Sequence, residues 1–207
     1  MPLPGARSAP IAAMRRIVID DPPAVDLRIR RAAQTAPGRA AGRALAPLFP
    51  IGLPAGYLAI AYSTAHWLRK RGVGGSRSII ISAWLGWLLH RAVKVVLIRQ
   101  RPLRRDARVR YDSFPSGHTT GATALALTTA LVLQRDGLIS PQRAAALGVG
   151  APLLMGFYRV VADDHWATDV AGGWVLGTAI ALLSLTDSPN MRRAPRLVRR
   201  AKRKFAE

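Results

Sequence analysis

Eight residues between positions 94 and 169 of this 207-residue chain are of types that bind anions and move protons: Lys94, Arg101, Ser116, Gly117, His118, Arg159, His165 and Asp169. In the stretch Phe114-Pro115-Ser116-Gly117-His118, Pro115 and Gly117 bracket a turn and Ser116 is a natural N-cap. The apolar run from Thr119 to Leu133 is therefore expected to begin a helix there. A helix start exposes unpaired N–H groups and the positive end of its dipole, which together make a seat for an anion such as phosphate. Lys94 and Arg101 are seven residues apart. If one helix carries both, they face one way about 10 Å apart, and Pro102 then ends that helix. Arg159 stands six residues before His165, and Asp169 stands four after it. At i,i+4 the carboxylate of Asp169 reaches the imidazole and holds one ring N–H, leaving the other nitrogen free.

Charge is confined to the tails and a few loops, with long uncharged runs between them, as in a polytopic membrane protein. The fold class expected is all-α, a helical bundle of about five spans over residues 44–68, 78–98, 117–133, 144–161 and 169–185. Pro47, Pro50 and Pro54 are expected to kink the first span, and Gly172, Gly173 and Gly177 to let the last one pack closely. Residues 25–36 mix Val25, Leu27 and Ile29 with Arg28, Arg30 and Arg31, which reads as a helix lying on the bilayer surface. The expected organisation is a basic N-terminal tail and interfacial helix over 1–43, a membrane domain over 44–186, and a basic tail over 187–207. Residues 1–13 have no long hydrophobic core, so no cleaved signal is expected. Two spans separate the loop before His118 from the loop around His165, which puts both on one side of the membrane.

The chain has 31 Lys and Arg against 11 Asp and Glu, for a formal charge of +20. In a soluble protein that balance points to nucleic acid, but here the cations gather at the ends of apolar segments, where they anchor to anionic headgroups. Nucleic acid is not an expected partner; the bilayer is. The absence of cysteine excludes a disulfide framework and cysteine-ligated zinc. Arg104, Arg105, Arg108 and Arg110 read as lipid or diphosphate contacts, and His66 and His90 as interfacial or structural residues. Asp163 and Asp164 either tune His165 or solvate their loop.

Together these motifs resemble the type 2 phosphatidic acid phosphatases, which share their core with class A bacterial acid phosphatases and vanadium haloperoxidases. The family pattern K-x6-R-P, P-S-G-H and S-R-x5-H-x3-D reads here as Lys94 to Arg101-Pro102, Pro115-Ser116-Gly117-His118, and Arg159, His165 and Asp169. Tyr158 departs from it, standing where the family usually has serine. The resemblance implies that Lys94, Arg101 and Arg159, with Ser116 and Gly117, bind the phosphoryl oxygens. It further implies that His165 attacks phosphorus to give a phosphohistidine, that Asp169 orients it, and that His118 protonates the leaving oxygen and then activates water. No metal or cofactor is required by that scheme. The spans favour a lipid substrate, with a polyprenyl diphosphate expected first and phosphatidate or phosphatidylglycerophosphate second. A lipid-phosphate-binding membrane protein without turnover is the alternative that Tyr158 leaves open. The basic turn over 69–77 and the basic C-terminal tail place the catalytic loops on the extracytoplasmic side of the cell membrane.

Overall fold

The helix that starts at the Pro-Ser-Gly-His turn is the axis of the molecule. The computed structural model describes residues 17–19, 21–102 and 112–186. In chain order these form strand β1 (Ile17–Ile19), α1 (Ala24–Ala33), α2 (Ala36–Ala44), two 3₁₀ turns (Ala46–Leu48 and Pro50–Gly52), α3 (Pro54–Lys70), α4 (Ser76–Val96), strand β2 (Leu97–Arg99), α5 (Gly117–Arg135), α6 (Pro141–Ala145), a π turn (Ala146–Gly150), α7 (Ala151–Val161) and α8 (Ala167–Thr186). Helix α5 packs most extensively on α8, then on α4 and α7. Its small and hydroxylated side chains permit this, and the hydroxyls of Thr120 and Thr123 donate back to the carbonyls of Ser116 and Thr119 at 2.9 and 2.7 Å. On α8, a Cβ added at Gly173 would lie 2.9 Å from Thr119 Cβ, and one at Gly177 2.6 Å from Thr123 Cβ. Glycine at these two places sets the approach of the two central helices.

Three helices, Ser76–Val96, Pro141–Val161 and Ala167–Leu185, are long and apolar enough to cross a membrane, and a bent pair, Ala46–Gly52 with Pro54–Lys70, makes a fourth. Leu88 of α4, Leu153 and Phe157 of α7, and Val175 and Leu182 of α8 are exposed, the pattern of helices whose outer solvent is hydrocarbon. Helix α5 was counted among five spans by sequence but lies outside this set. Neighbouring helices sheathe it, so its own apolarity need not be that of a lipid-facing span.

Four expectations are revised. The prolines do more than kink the first span: they break it into two 3₁₀ turns meeting α3 at 69°, because each removes an N–H and disfavours helix in the residue before it. The helix of Lys94 does not persist to Arg101. It ends at Val96, and Leu97–Arg99 pairs in parallel with Ile17–Ile19, so the fold is a helical bundle carrying a two-stranded sheet and not purely α. The N-terminal helix is two helices, broken at Gln34-Thr35, where Pro37 sits in the first turn of α2. The fourth concerns α1, whose arginines were expected to face water: it is inverted relative to a soluble helix, and Arg30 turns inward to Asp163 while the apolar side chains face out. Val25, Leu27 and Ile29 are exposed while Asp26 is 1 % exposed. The apolar outer side suits a bilayer surface, and the charged inner side docks on the bundle. Arg104, Arg105, Arg108, Arg110 and the two tails lie outside the described residues.

Candidate active site

His165 lies in the connection between α7 and α8, and Asp169 in the first turn of α8, so both sit at one end of the bundle. Both are buried, at 3 % and 0 % exposure. His165 Nδ1 is 3.5 Å from Asp169 Oδ2, an i,i+4 approach made by a loop and not by the helical turn the spacing suggested. Nδ1 makes no hydrogen bond, so the carboxylate stands beside the ring without holding the N–H that the spacing led one to expect. The same carboxylate accepts from Trp166 N–H at 2.9 Å, the acidic half of a capping box at the start of α8, and from Ser113 Oγ at 2.5 Å. Burial first, and then the positive charges of Arg101, Arg159 and Lys94, push the His165 imidazole well below the usual histidine range. A neutral imidazole has a lone pair for a nucleophile to use.

The cations converge from three elements. Lys94, at the end of α4, donates to the backbone carbonyl of Asp112 at 2.6 Å and lies 3.7 Å from its carboxylate. Arg101 makes a two-pronged contact with the same carboxylate at 2.9 and 3.2 Å. Burial alone would raise the Asp112 carboxyl, but Arg101 and Lys94 outweigh it and hold it below the usual range. Arg159, at the end of α7, is 2 % exposed. Its Nη1 lies 3.2 Å from Asp164 Oδ2, yet Nη1 and Nε make no hydrogen bond. The ion-pair distance is met but the direction is not, so two buried N–H groups of a guanidinium are left for something else to accept. Tyr158, the departure from the family pattern, stacks near that guanidinium at 5.4 Å, and Phe49 does so from the other cavity wall at 5.5 Å. Two aromatic faces thus flank the Arg159 guanidinium.

Ser116 caps α5 as the sequence implies, its Oγ accepting from Thr119 Oγ1 at 3.0 Å and Thr119 N–H at 3.5 Å. Its backbone N–H donates to Asp169 O at 3.0 Å. The amide expected to face phosphate is therefore spent inside the protein, where it locks the start of α5 to the start of α8, and the hydroxyl is engaged as an acceptor by the cap. Gly117, the first helical residue, carries the orphan amide of the turn. His118 Nε2 donates to Phe49 O at 3.2 Å, and the two rings stack at 5.0 Å. Gly52 makes room for this: a Cβ there would lie 2.1 Å from His118 Cδ2.

Two cavities flank the segment that holds Leu48, Phe49 and Ile51. A polar cleft of about 780 Å³ is lined by Arg101, Tyr158, Arg159, Asp164 and Phe49. An apolar groove of about 490 Å³ runs between α3, α5 and α7, lined by Leu48, Ile51, Tyr57, Leu125, Leu154 and Met155.

Sequence reasoning missed several residues of this centre: Asp26, Arg99, Asp112, Ser113 and Phe49. The available signal was scarcity, since a chain with 31 cations and only 11 carboxylates places each carboxylate where a cation is worth neutralising. Asp163 and Asp164 prove to be ties and not solvators, Asp163 receiving Arg30 in a fork at 2.7 and 2.8 Å. This contact holds the Arg30 guanidinium above its usual range.

A family model described as the PAP2 superfamily matches residues 76–193, which contain the three motifs. The chain belongs to that superfamily. As a PAP2 protein it is 30% identical over 128 residues to an undecaprenyl-diphosphatase of Sulfolobus acidocaldarius, a match covering 56% of this chain. The chain spans about half, 55%, of the length of that curated relative. Among solved structures, it is similar to LpxE of Aquifex aeolicus, with a TM-score of 0.59, 25% identity, and coverage of 82% of this chain and 99% of the other. It also shares the fold of a transmembrane PAP2-type phosphatidylglycerolphosphate phosphatase from Bacillus subtilis, with a TM-score of 0.63, 22% identity, and coverage of 78% and 83%. The superfamily match, the apolar helices and these membrane relatives agree on a multi-pass membrane protein.

Proposed function

We propose that this protein is an integral membrane phosphatase that cleaves a phosphate monoester or diphosphate from a lipid through a phosphohistidine intermediate, without a metal. The observation that carries this reading is that Nε and Nη1 of buried Arg159 make no hydrogen bond, while Arg159, Arg101 and Lys94 together act on the one buried imidazole of His165. Three fixed cations acting on one imidazole suit a phosphoryl group passing through its transition state. In the first step His165 Nε2 bonds to phosphorus while the bond to the leaving oxygen breaks, and His118 supplies the proton that oxygen takes. In the second step water gives a proton to His118, its oxygen bonds to phosphorus, and inorganic phosphate leaves His165. Asp169, whose Oδ2 lies 3.5 Å from Nδ1, closes on that nitrogen and orients the ring as the imidazole takes on charge.

The apolar groove supports a lipid substrate. One short segment lines the groove with Leu48 and Ile51 and the polar cleft with Phe49, which suits a substrate with its head at Arg159 and its tail along α3 and α5. A polyprenyl diphosphate is the substrate we favour, supported by the 30% identity to an undecaprenyl-diphosphatase. We place five membrane elements in the bilayer, α5 included, with the site on the extracytoplasmic side. The basic Arg69–Arg77 turn at the opposite end supports that placement.

The test is phosphate release by detergent-purified protein in excess chelator from undecaprenyl diphosphate, phosphatidylglycerophosphate and phosphatidate. Release is expected to be fastest from the diphosphate and abolished in a folded His165→Ala variant. No release from any of the three, or unchanged turnover in the variant, overturns the reading.

A further inference from the structure

We propose that Arg99 and Asp26 are positioning residues that fix the Asp169 carboxylate, and through it His165, so that helix α1 is a working part of the active site as well as a surface helix. This rests on the reading of His165 as a nucleophile held by Asp169.

Arg99 ends strand β2 and is 4 % exposed, between two carboxylates that are themselves sealed. Its Nη1 donates to Asp169 Oδ1 and to Thr168 Oγ1, both at 2.6 Å, and its Nη2 donates to Asp26 Oδ2 at 2.6 Å. Asp26 accepts two further bonds from α8: Thr168 N–H on Oδ1 at 2.9 Å and Thr168 Oγ1 on Oδ2 at 2.5 Å. Helix α1 therefore supplies α8 with an N-terminal carboxylate cap from outside its own sequence. Asp169 has one oxygen turned to His165 and the other to Arg99. With Ser113 and Trp166 also donating to it, the carboxylate has no rotation left that does not break a bond. A carboxylate that directs an imidazole is in turn commonly directed by outer partners. Arg99 plays that part here, and Asp26 holds Arg99. A buried arrangement of two carboxylates and one guanidinium is a poor source of stability, because desolvating the charges offsets their attraction. Its geometry, in contrast, is well defined, since the planar fork of arginine reaches both carboxylates at once and an ammonium cannot. A second tie comes from Arg30, which grips Asp163 on the loop that leads to His165. Asp163 stands there at φ 58°, a conformation that few non-glycine residues adopt.

The experiment uses full-length protein in detergent, with whichever of the three lipid phosphates above turns over fastest, and compares Asp26→Asn, Arg99→Lys, Asp169→Asn and the double variant Asp26→Asn/Asp169→Asn. Asp26→Asn changes no volume but turns an amide N–H toward a donor. The first two variants should each lower kcat roughly 10- to 100-fold while KM stays within about threefold, the scale on which outer partners of a directed histidine count. The double variant should be no slower than Asp169→Asn alone. Wild-type kcat in Asp26→Asn alongside a loss in Asp169→Asn overturns the positioning role and leaves the nucleophile reading intact. Wild-type kcat in Asp169→Asn overturns both. Losses that add in the double variant, or failure of both Asp26→Asn and Arg99→Lys to yield folded protein, would assign these residues to the fold alone and end the proposal.

Discussion

Arg99 and Arg101 stand two positions apart, both bind carboxylates, and do opposite things. The side chain of Arg99 is 4 % exposed and its donors are divided between Asp26 and Asp169. That of Arg101 is 23 % exposed and faces one carboxylate, Asp112, which is itself 42 % exposed. A sealed cation whose charge is already shared by two buried anions has little to offer a third, whereas an open cation with a half-solvated partner can exchange that partner for phosphate. What decides is the end of strand β2: Arg99 is its last residue, pinned by pairing with Ile19, and Arg101 lies beyond it. The lesson is that in a strongly basic chain an arginine's role follows from how many carboxylates surround it and how dry they are.

The comparison breaks most visibly in the sealed cluster. Arg99→Met leaves Asp26 and Asp169 buried without their cation and should cost roughly 3–5 kcal/mol of stability, read as a lowered unfolding midpoint in detergent. Arg101→Ala should leave stability within about 0.5 kcal/mol, as an unstrained open site allows. Activity reverses that order: Arg101→Ala should lower kcat/KM by roughly 10²–10³, the scale of one lost transition-state donor. A large stability loss in Arg101→Ala with little kinetic effect would erase the contrast.

Acidity sharpens it further. His165 is depressed well below 6.5 in the folded protein, so below the ordinary histidine value the unfolded chain binds a proton that the native state does not. Stability should then fall as pH drops below about 6.5, with a slope of up to about 1.4 kcal/mol per unit from this residue. Measured in wild type against His165→Ala, that slope should disappear in the variant. The acid limb of kcat/KM should also lie below 6.5, since the imidazole proposed as nucleophile stays neutral there. Asp112 behaves in the other sense. Its carboxyl is depressed, so what it contributes is present above the ordinary carboxylate value of about 3.9 and is lost only in strong acid. The smallest effect is expected from Asp112→Asn, which removes the anion competing for Lys94 and Arg101. Inorganic phosphate should inhibit this variant severalfold more tightly, on the scale of about 1 kcal/mol for a partly exposed pair. Weaker inhibition would mean that Asp112 holds the two cations in place instead of competing for them.

Much of the centre was legible before any coordinates. The spacing of Lys94, Arg101, His118, Arg159, His165 and Asp169 is a property of the chain, and the capping of α5 by Ser116 follows from residue type alone. The geometry between those points was less legible. A helix was drawn through Arg101 because periodicity extends until something stops it, and the pairing of β2 with a strand some eighty positions earlier has no local signal. Ser116 was given to phosphate because its hydroxyl and amide suit it, while the structure spends the amide on Asp169 O. That choice depends on how closely α8 approaches.

The sequence by itself determined that apolar helices carry these cations and histidines, because hydropathy, capping and motif spacing are local and need no partner. Which carboxylate meets which arginine was decided only by the tertiary structure. Asp26, Arg99 and Asp169 are separated by 73 and 70 positions, and the free energy of a charge depends on what surrounds it in space, which the order of residues does not state.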